Sequence, residues 1–134
     1  MIPKFISSLI KNKSPVIYGD GKQSRDFTYI DNVISINQLA ALTQNKNAIN
    51  TVYNVAYGEN ITINALTETL KEVLSKFDKK ILNIKPEYET ERPGDIKHSL
   101  ASIDKGKKLL NYNPQYTLKE GLGLAIGWYC KELG

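Results

Sequence analysis

Cysteine and histidine are almost missing. The 134 residues contain one of each, Cys130 and His98. A single cysteine forbids an intrachain disulfide, so a reducing compartment, the cytoplasm, is the expected setting. One cysteine and one histidine are too few soft ligands for a structural zinc site, and no metal is expected. No apolar run approaches the roughly 18–20 residues of a membrane span. The opening Met1-Ile2-Pro3-Lys4-Phe5-Ile6 has neither the apolar stretch nor the small-residue cleavage site of a signal peptide. Charge of one sign is also scarce, with 18 basic and 14 acidic residues leaving +4. The lysines are scattered, from Lys11 and Lys13 to Lys107 and Lys108, with no basic stripe interleaved with aromatics. A nucleic acid is therefore not the expected partner, whereas a mild positive excess suits an anionic ligand such as a phosphate ester. What is present is 41% hydrophobic residue, evenly spread. That describes one globular domain over residues 1–134, long enough to bury roughly two-thirds of its unfolded surface.

Hydrophobic spacing marks the helices. Ile2, Phe5, Ile6, Leu9 and Ile10 predict a helix over about 2–12, with Pro3 in its first turn. Asp31 reads as the cap of a helix carrying Val33, Ile36, Leu39 and Ala40 to about Gln44. Thr62 reads as the cap of a helix with Ile63, Leu66, Leu70, Val73, Leu74 and Phe77 on its apolar face. Ser102 reads as the cap of a short helix through Leu110. Thr117 and Glu120 form a capping box before a last helix to Leu133. Short β-prone runs at 16–18, 27–30, 52–56 and 81–84 predict strands, and Gly19-Asp20-Gly21 predicts a turn. Helices and short strands alternate, so the class is α/β or α+β, a small mixed domain of about five helices.

Two patterns imitate cofactor chemistry. Tyr18-Gly19-Asp20-Gly21-Lys22 has the spacing of a Tyr/Lys catalytic dyad, but that dyad needs one helical turn, and two intervening glycines oppose a helix. Gly121-x-Gly123-x-x-x-Gly127 imitates a dinucleotide loop, yet no strand precedes it and the capping box has already begun a helix. Its glycines read as close helix packing. The residues better suited to chemistry are two loop arginines, Arg25 and Arg92, because a guanidinium presents a planar fork to phosphate. Each also has an acidic sequence neighbour, Asp26 and Glu91, with which a plain surface ion pair would form.

Five blocks occur in order: Ile2-Pro3-Lys4-Phe5; Tyr18-Gly19-Asp20-Gly21 followed by Ser24-Arg25-Asp26-Phe27-Thr28-Tyr29-Ile30-Asp31-Asn32; Val52-Tyr53-Asn54-Val55-Ala56; Arg92-Pro93-Gly94-Asp95-Ile96; and Leu109-Leu110-Asn111-Tyr112-Asn113-Pro114. Together they closely resemble the C-terminal part of the NAD-dependent nucleotide-sugar epimerases and dehydratases, the extended short-chain dehydrogenase/reductase family. The pattern is nearest the UDP-N-acetylglucosamine 4-epimerase type.

The resemblance implies a substrate-binding lobe without its Rossmann domain. NAD and the catalytic Tyr/Lys pair belong to the N-terminal part of such enzymes, so no catalytic residue and no cofactor site are expected on this chain. The implied ligand is a UDP-sugar, and the implied whole enzyme is a homodimeric 4-epimerase. A dehydratase or decarboxylase outcome and a non-catalytic anion-binding module are the alternatives. The resemblance also implies that 52–56 is a strand of the large Rossmann sheet, so the chain alone is expected to self-associate. Residue by residue, Met1 and Arg25 match diphosphate contacts, and Arg92 matches the second phosphate arginine. Val16 and Tyr18 match the segment lining uracil, and Asp95 the carboxylate that accepts ribose hydroxyls. Ser99, where a bulky aromatic is associated with glucose or galactose substrates, implies room for an N-acetylated sugar or its uronic acid. Phe27 departs from the family, many of whose members have tyrosine there.

Overall fold

A computed structural model describes residues 1–133. Five helices carry the fold: α1 (Ile2–Ile10), α2 (Ile30–Leu42), α3 (Ile63–Leu74), α4 (Asp104–Leu110) and α5 (Leu118–Leu133). The strands are only two or three residues long. β1 (Val16–Tyr18) runs parallel to β4 (Glu87–Glu89), and β2 (Ser24–Arg25) runs antiparallel to β3 (Ile61–Thr62). Single 3-10 segments occupy Lys46–Ala48 and Lys79–Asn83. The mixed α/β class read from the sequence is the one found.

Local chemistry explains three of the helix ends. The Thr62 hydroxyl accepts from the Ala65 N–H at 3.1 Å and caps α3. The capping box at α5 closes in both directions: Glu120 N–H donates to Thr117 Oγ1 at 3.3 Å, and Thr117 N–H donates to Glu120 Oε2 at 2.9 Å. Those bonds from Thr117, the side-chain one foremost, hold the Glu120 carboxyl below the usual range. α4 ends on Asn111 in the left-handed region at φ 55°.

Two apolar clusters hold these pieces. The larger joins α1, β1, α3 and α5 through Phe5, Ile6, Leu9, Ile17, Leu66, Leu70, Leu74, Leu122 and Ile126. Each fully buried aliphatic side chain contributes about 1.5–3 kcal/mol before entropy is charged against it. The smaller gathers Ile36, Ala48, Ala56, Ile103, Leu110 and Tyr112 around α2 and α4. The Tyr112 hydroxyl, buried there, donates to the Ala56 carbonyl at 2.9 Å. α5 lies so close to the start of α2 that a Cβ on Gly121 would stand 2.7 Å from the Tyr29 ring, so one glycine of the imitation dinucleotide loop is a packing residue. Gly123 and Gly127 meet nothing within 4 Å.

Several local expectations give way. Residues 27–30 are not a strand, because the ladder uses Ser24 and Arg25 and α2 has already begun at Ile30. Tyr29 rather than Asp31 is the N-cap of α2, and Asp31 sits in its first turn. Residues 52–56 have strand composition but no partner among the described residues, and Val52 is 84% exposed. Residues 81–84 turn as a 3-10 segment, because Asp78 caps it by accepting the Lys80 N–H at 2.9 Å. Phe77 falls beyond α3 and is 59% exposed rather than on its apolar face. Ile103 rather than Ser102 is the N-cap of α4; Ser102 lies two residues before the helix, and its hydroxyl accepts the Asp104 N–H at 3.4 Å.

Candidate functional site

A groove of about 630 Å³ opens between α1, β1, β2 and the loop that follows β4. Its floor is apolar, with Phe5, Ile17 and Ile63. Met1, Val16, Tyr18, Arg25, Arg92 and Asp95 all line it, although the sequence separates them into three distant stretches. Ser99 does not line it. Its N–H donates to the Ser24 carbonyl at 3.2 Å, just behind β2.

The turn after β1 is what brings Arg25 back to the groove. Gly19 and Gly21 take φ of 79° and 73°. Gly21 also leaves no room for a side chain, since a Cβ there would fall 2.0 Å from Asn64 Oδ1. Asn64 fastens this turn to α3 by donating its Nδ2 to the Asp20 carbonyl at 3.0 Å and its N–H to the Gly21 carbonyl at 3.1 Å. The returning chain runs alongside β1, where Gln23 Nε2 donates to the Tyr18 carbonyl at 2.5 Å.

The two arginines then find partners that are remote in sequence. Arg25 Nη2 meets Asp95 Oδ1 at 2.6 Å, and Arg25 Nη1 donates to the carbonyls of Ser24 and Ile96 at 2.8 and 2.6 Å. Three of its donors are thus occupied, and a guanidinium has five. The Arg92 guanidinium lies over the Tyr18 ring, 3.8 Å from its centroid. Neither arginine pairs with its acidic neighbour among the described residues. Asp26 instead accepts the backbone N–H groups of Tyr57 and Gly58 at 3.2 and 3.1 Å.

Lys4, Ser8 and Gln23 also line the groove and were missed in the sequence. Helical spacing from Met1 to Lys4 and Ser8 was the available signal, since those positions share a face of α1. The groove therefore sets three cationic side chains, Lys4, Arg25 and Arg92, against the single carboxylate of Asp95. Such a surface accepts a multiply charged anion beside a flat apolar group. Among the described residues no cluster of His, Cys, Asp and Glu is arranged to hold a metal ion. Among the described residues no helix is long and apolar enough to cross a membrane. Gly121, Gly123 and Gly127 do not form a dinucleotide loop, because they lie inside α5 with no strand immediately ahead of them.

Comparison with known proteins shows what the chain is similar to. The sequence profile described as GDP-mannose 4,6 dehydratase matches residues 1–124. The UDP-glucuronate 4-epimerase of Thermodesulfobacterium geofontis is 36% identical over 126 residues, covering 93% of this chain and 36% of that protein. Among solved structures, the UDP-N-acetylglucosamine 4-epimerase of Methanobrevibacter ruminantium, in complex with UDP-N-acetylmuramic acid, is 41% identical with a TM-score of 0.83, over 98% of this chain and 39% of that one. The UDP-glucuronic acid 4-epimerase of Bacillus cereus, in complex with UDP-glucuronic acid and NAD, is 33% identical with a TM-score of 0.81, over 98% and 39%. This chain spans well under half the length of the relatives it matches. It belongs to the GDP-mannose 4,6 dehydratase family of extended short-chain dehydrogenase/reductase enzymes, and its fold is that of their C-terminal region.

Proposed function

We propose that this chain binds the UDP half of the substrate, and helps position the sugar, in an NAD-dependent UDP-sugar 4-epimerase. The observation that carries this reading is the meeting of Arg25, Arg92, Asp95 and the 16–18 segment in one groove. Arg92 and the free donors of Arg25 bind the diphosphate, with the main chain at Met1 closing the near side. Asp95 has Oδ2 free to accept ribose hydroxyls, since its bond to Arg25 uses Oδ1. Val16 and Tyr18 line the uracil. Phe27 packs partly buried against the larger core cluster and, lacking a hydroxyl, offers the ligand none. Ser99, which lies outside the groove, is assigned to the sugar by the family resemblance, and its small side chain there leaves room for an acetamido or carboxylate substituent. UDP-linked N-acetylhexosamines or their uronic acids are the substrates proposed.

NAD, held by a domain outside this chain, supplies the hydride chemistry. The residues here contribute affinity and orientation, so that binding energy from the UDP end fixes where the sugar lies. Calorimetric titration of the chain with UDP, UMP, uridine and NAD tests the reading. UDP is expected to bind, UMP more weakly, and NAD not at all. Equal affinity for UDP and uridine, or no binding of UDP, overturns it.

A further inference from the structure

The segment that bears Arg92 and Asp95 is exposed along nearly all of residues 90–100. Its bend at Gly94, with φ 78°, has nothing within 4 Å of where a side chain would be. The bend at Gly94 packs against nothing, so the loop is held by Arg92 over Tyr18, by Arg25 on Asp95 and Ile96, and by the fastening of its two ends. Upstream, the β1–β4 pairing is extended by the Gly19 N–H, which donates to the Glu89 carbonyl at 2.8 Å. Downstream, three consecutive residues are fastened to a single one. The Ser24 N–H donates to the Lys97 carbonyl at 2.8 Å, and the Ser99 N–H donates to the Ser24 carbonyl at 3.2 Å. Between them, His98 Nδ1 lies 2.9 Å from Ser24 Oγ.

We propose that His98 is a positioning residue: its bond to Ser24 fixes the loop that carries Arg92 and Asp95, and so sets the affinity of the groove for a nucleoside diphosphate. The proposal rests on the reading of the groove given above. Ser24 is only 2% exposed, and the His98 ring is the hydrogen-bond partner of its hydroxyl. An apolar side chain at 98 strands that hydroxyl unless water enters between β2 and the 97–99 segment. Water that enters beside the exposed 97–99 segment competes with the backbone bonds Ser24 makes to Lys97 and Ser99 and so loosens the segment. Loosening it moves the Ile96 carbonyl and the Asp95 carboxylate, both acceptors for Arg25. One bond outside the groove therefore bears on how Arg25 and Asp95 are held inside it. The hydroxyl can donate to Nδ1 or accept from it, so the contact survives either tautomer of the ring.

The test compares His98→Leu, His98→Asn and Ser24→Ala in the same chain. It reads amide hydrogen exchange by mass spectrometry, UDP affinity by calorimetry and thermal midpoint. His98→Leu is expected to speed exchange over residues 91–99 alone and to weaken UDP binding by about fivefold, the scale of one lost hydrogen bond. His98→Asn returns an acceptor near the place of Nδ1 and is expected to restore both readouts. Ser24→Ala removes the hydroxyl with its need for a partner and is expected to fall between the two. Faster exchange spread over the whole chain with a lower midpoint overturns the proposal, because His98 would then be a general structural residue. Faster local exchange with unchanged UDP affinity also overturns it. Failure of the unsubstituted chain to bind UDP defeats the reading of the groove itself, before any variant is compared.

Discussion

Replacing Arg92 separates phosphate binding from general damage. The side chain is exposed, and its recorded contact is the face of Tyr18 at 3.8 Å, so removing it strands no buried partner. Stability should barely change. A charge-assisted contact to a diphosphate is worth about 1.5–3 kcal/mol, or roughly ten- to a hundredfold in affinity. Solvent screening of an exposed group favours the lower end, about tenfold at moderate salt. Arg92→Lys keeps the charge but loses the planar stack and the fork, so it should lie between Ala and the parent. Arg25→Ala should lose at least as much, because the direct contact and the tether to Asp95 and Ile96 vanish together. Asp95→Ala keeps the Arg25 charge but removes the tether and the proposed ribose acceptor together, so part of its loss should also appear with uridine. The assay is calorimetric titration with UDP and with uridine at low and high salt. The loss in the arginine variants should appear with UDP, shrink as salt rises, and be absent with uridine. Unchanged UDP affinity in both arginine variants refutes the phosphate assignment. A loss that is equal for uridine refutes it differently, by making Arg92 a base contact.

Four further outcomes are expected. The chain alone should neither bind NAD nor interconvert any UDP-sugar, and turnover in a coupled assay would contradict that. In a complete enzyme carrying this region, Ser99→Tyr should move the kcat/KM ratio toward unacetylated sugars, overpacking costing about 1–3 kcal/mol; an unmoved ratio removes Ser99 from the sugar site. The bare apolar side chains of Val52, Ile30 and Ile34 should drive self-association, and a monomer by light scattering at millimolar concentration would speak against it. Burial, reinforced by the Asp26 carboxylate, raises the Tyr112 phenol above 10.0. The stability it confers is complete below the unfolded value and is lost as pH rises through the raised folded one. Tyr112→Phe should therefore be less sensitive to alkali, while giving up about 1 kcal/mol at neutral pH with the bond to Ala56; parallel urea-denaturation curves against pH would refute this.

Amphipathic spacing carried the helices into view, because each of α1, α3 and α5 buries one stripe against the same cluster. The strands were hard to read for a different reason. Two residues, such as Ser24 and Arg25, cannot display a period, and their pairing is decided by Thr62, Ile61 and the 97–99 segment. The 52–56 run shows the converse: β-prone residues form no ladder when no strand lies beside them. At the groove, the motifs named Arg25, Arg92 and Asp95. They did not reveal that Arg25 and Asp95 hold each other, because a contact between positions 70 apart leaves no trace in local pattern. Nearest-neighbour pairing suggested Asp26 for Arg25, and the tertiary structure gave Asp26 a different task.

The distance along the chain between Arg25 and Asp95 also has a kinetic side. Closing an open loop of 70 residues costs about 4 kcal/mol of chain entropy on top of a constant, and none of the contacts across it repays that cost until the ends have met. α3, whose own turns need no such closure, can form earlier. The groove should therefore be among the last features to appear during refolding. Burst-phase helix signal should precede any capacity to capture UDP, and ligand added at the start should slow unfolding more than it speeds folding.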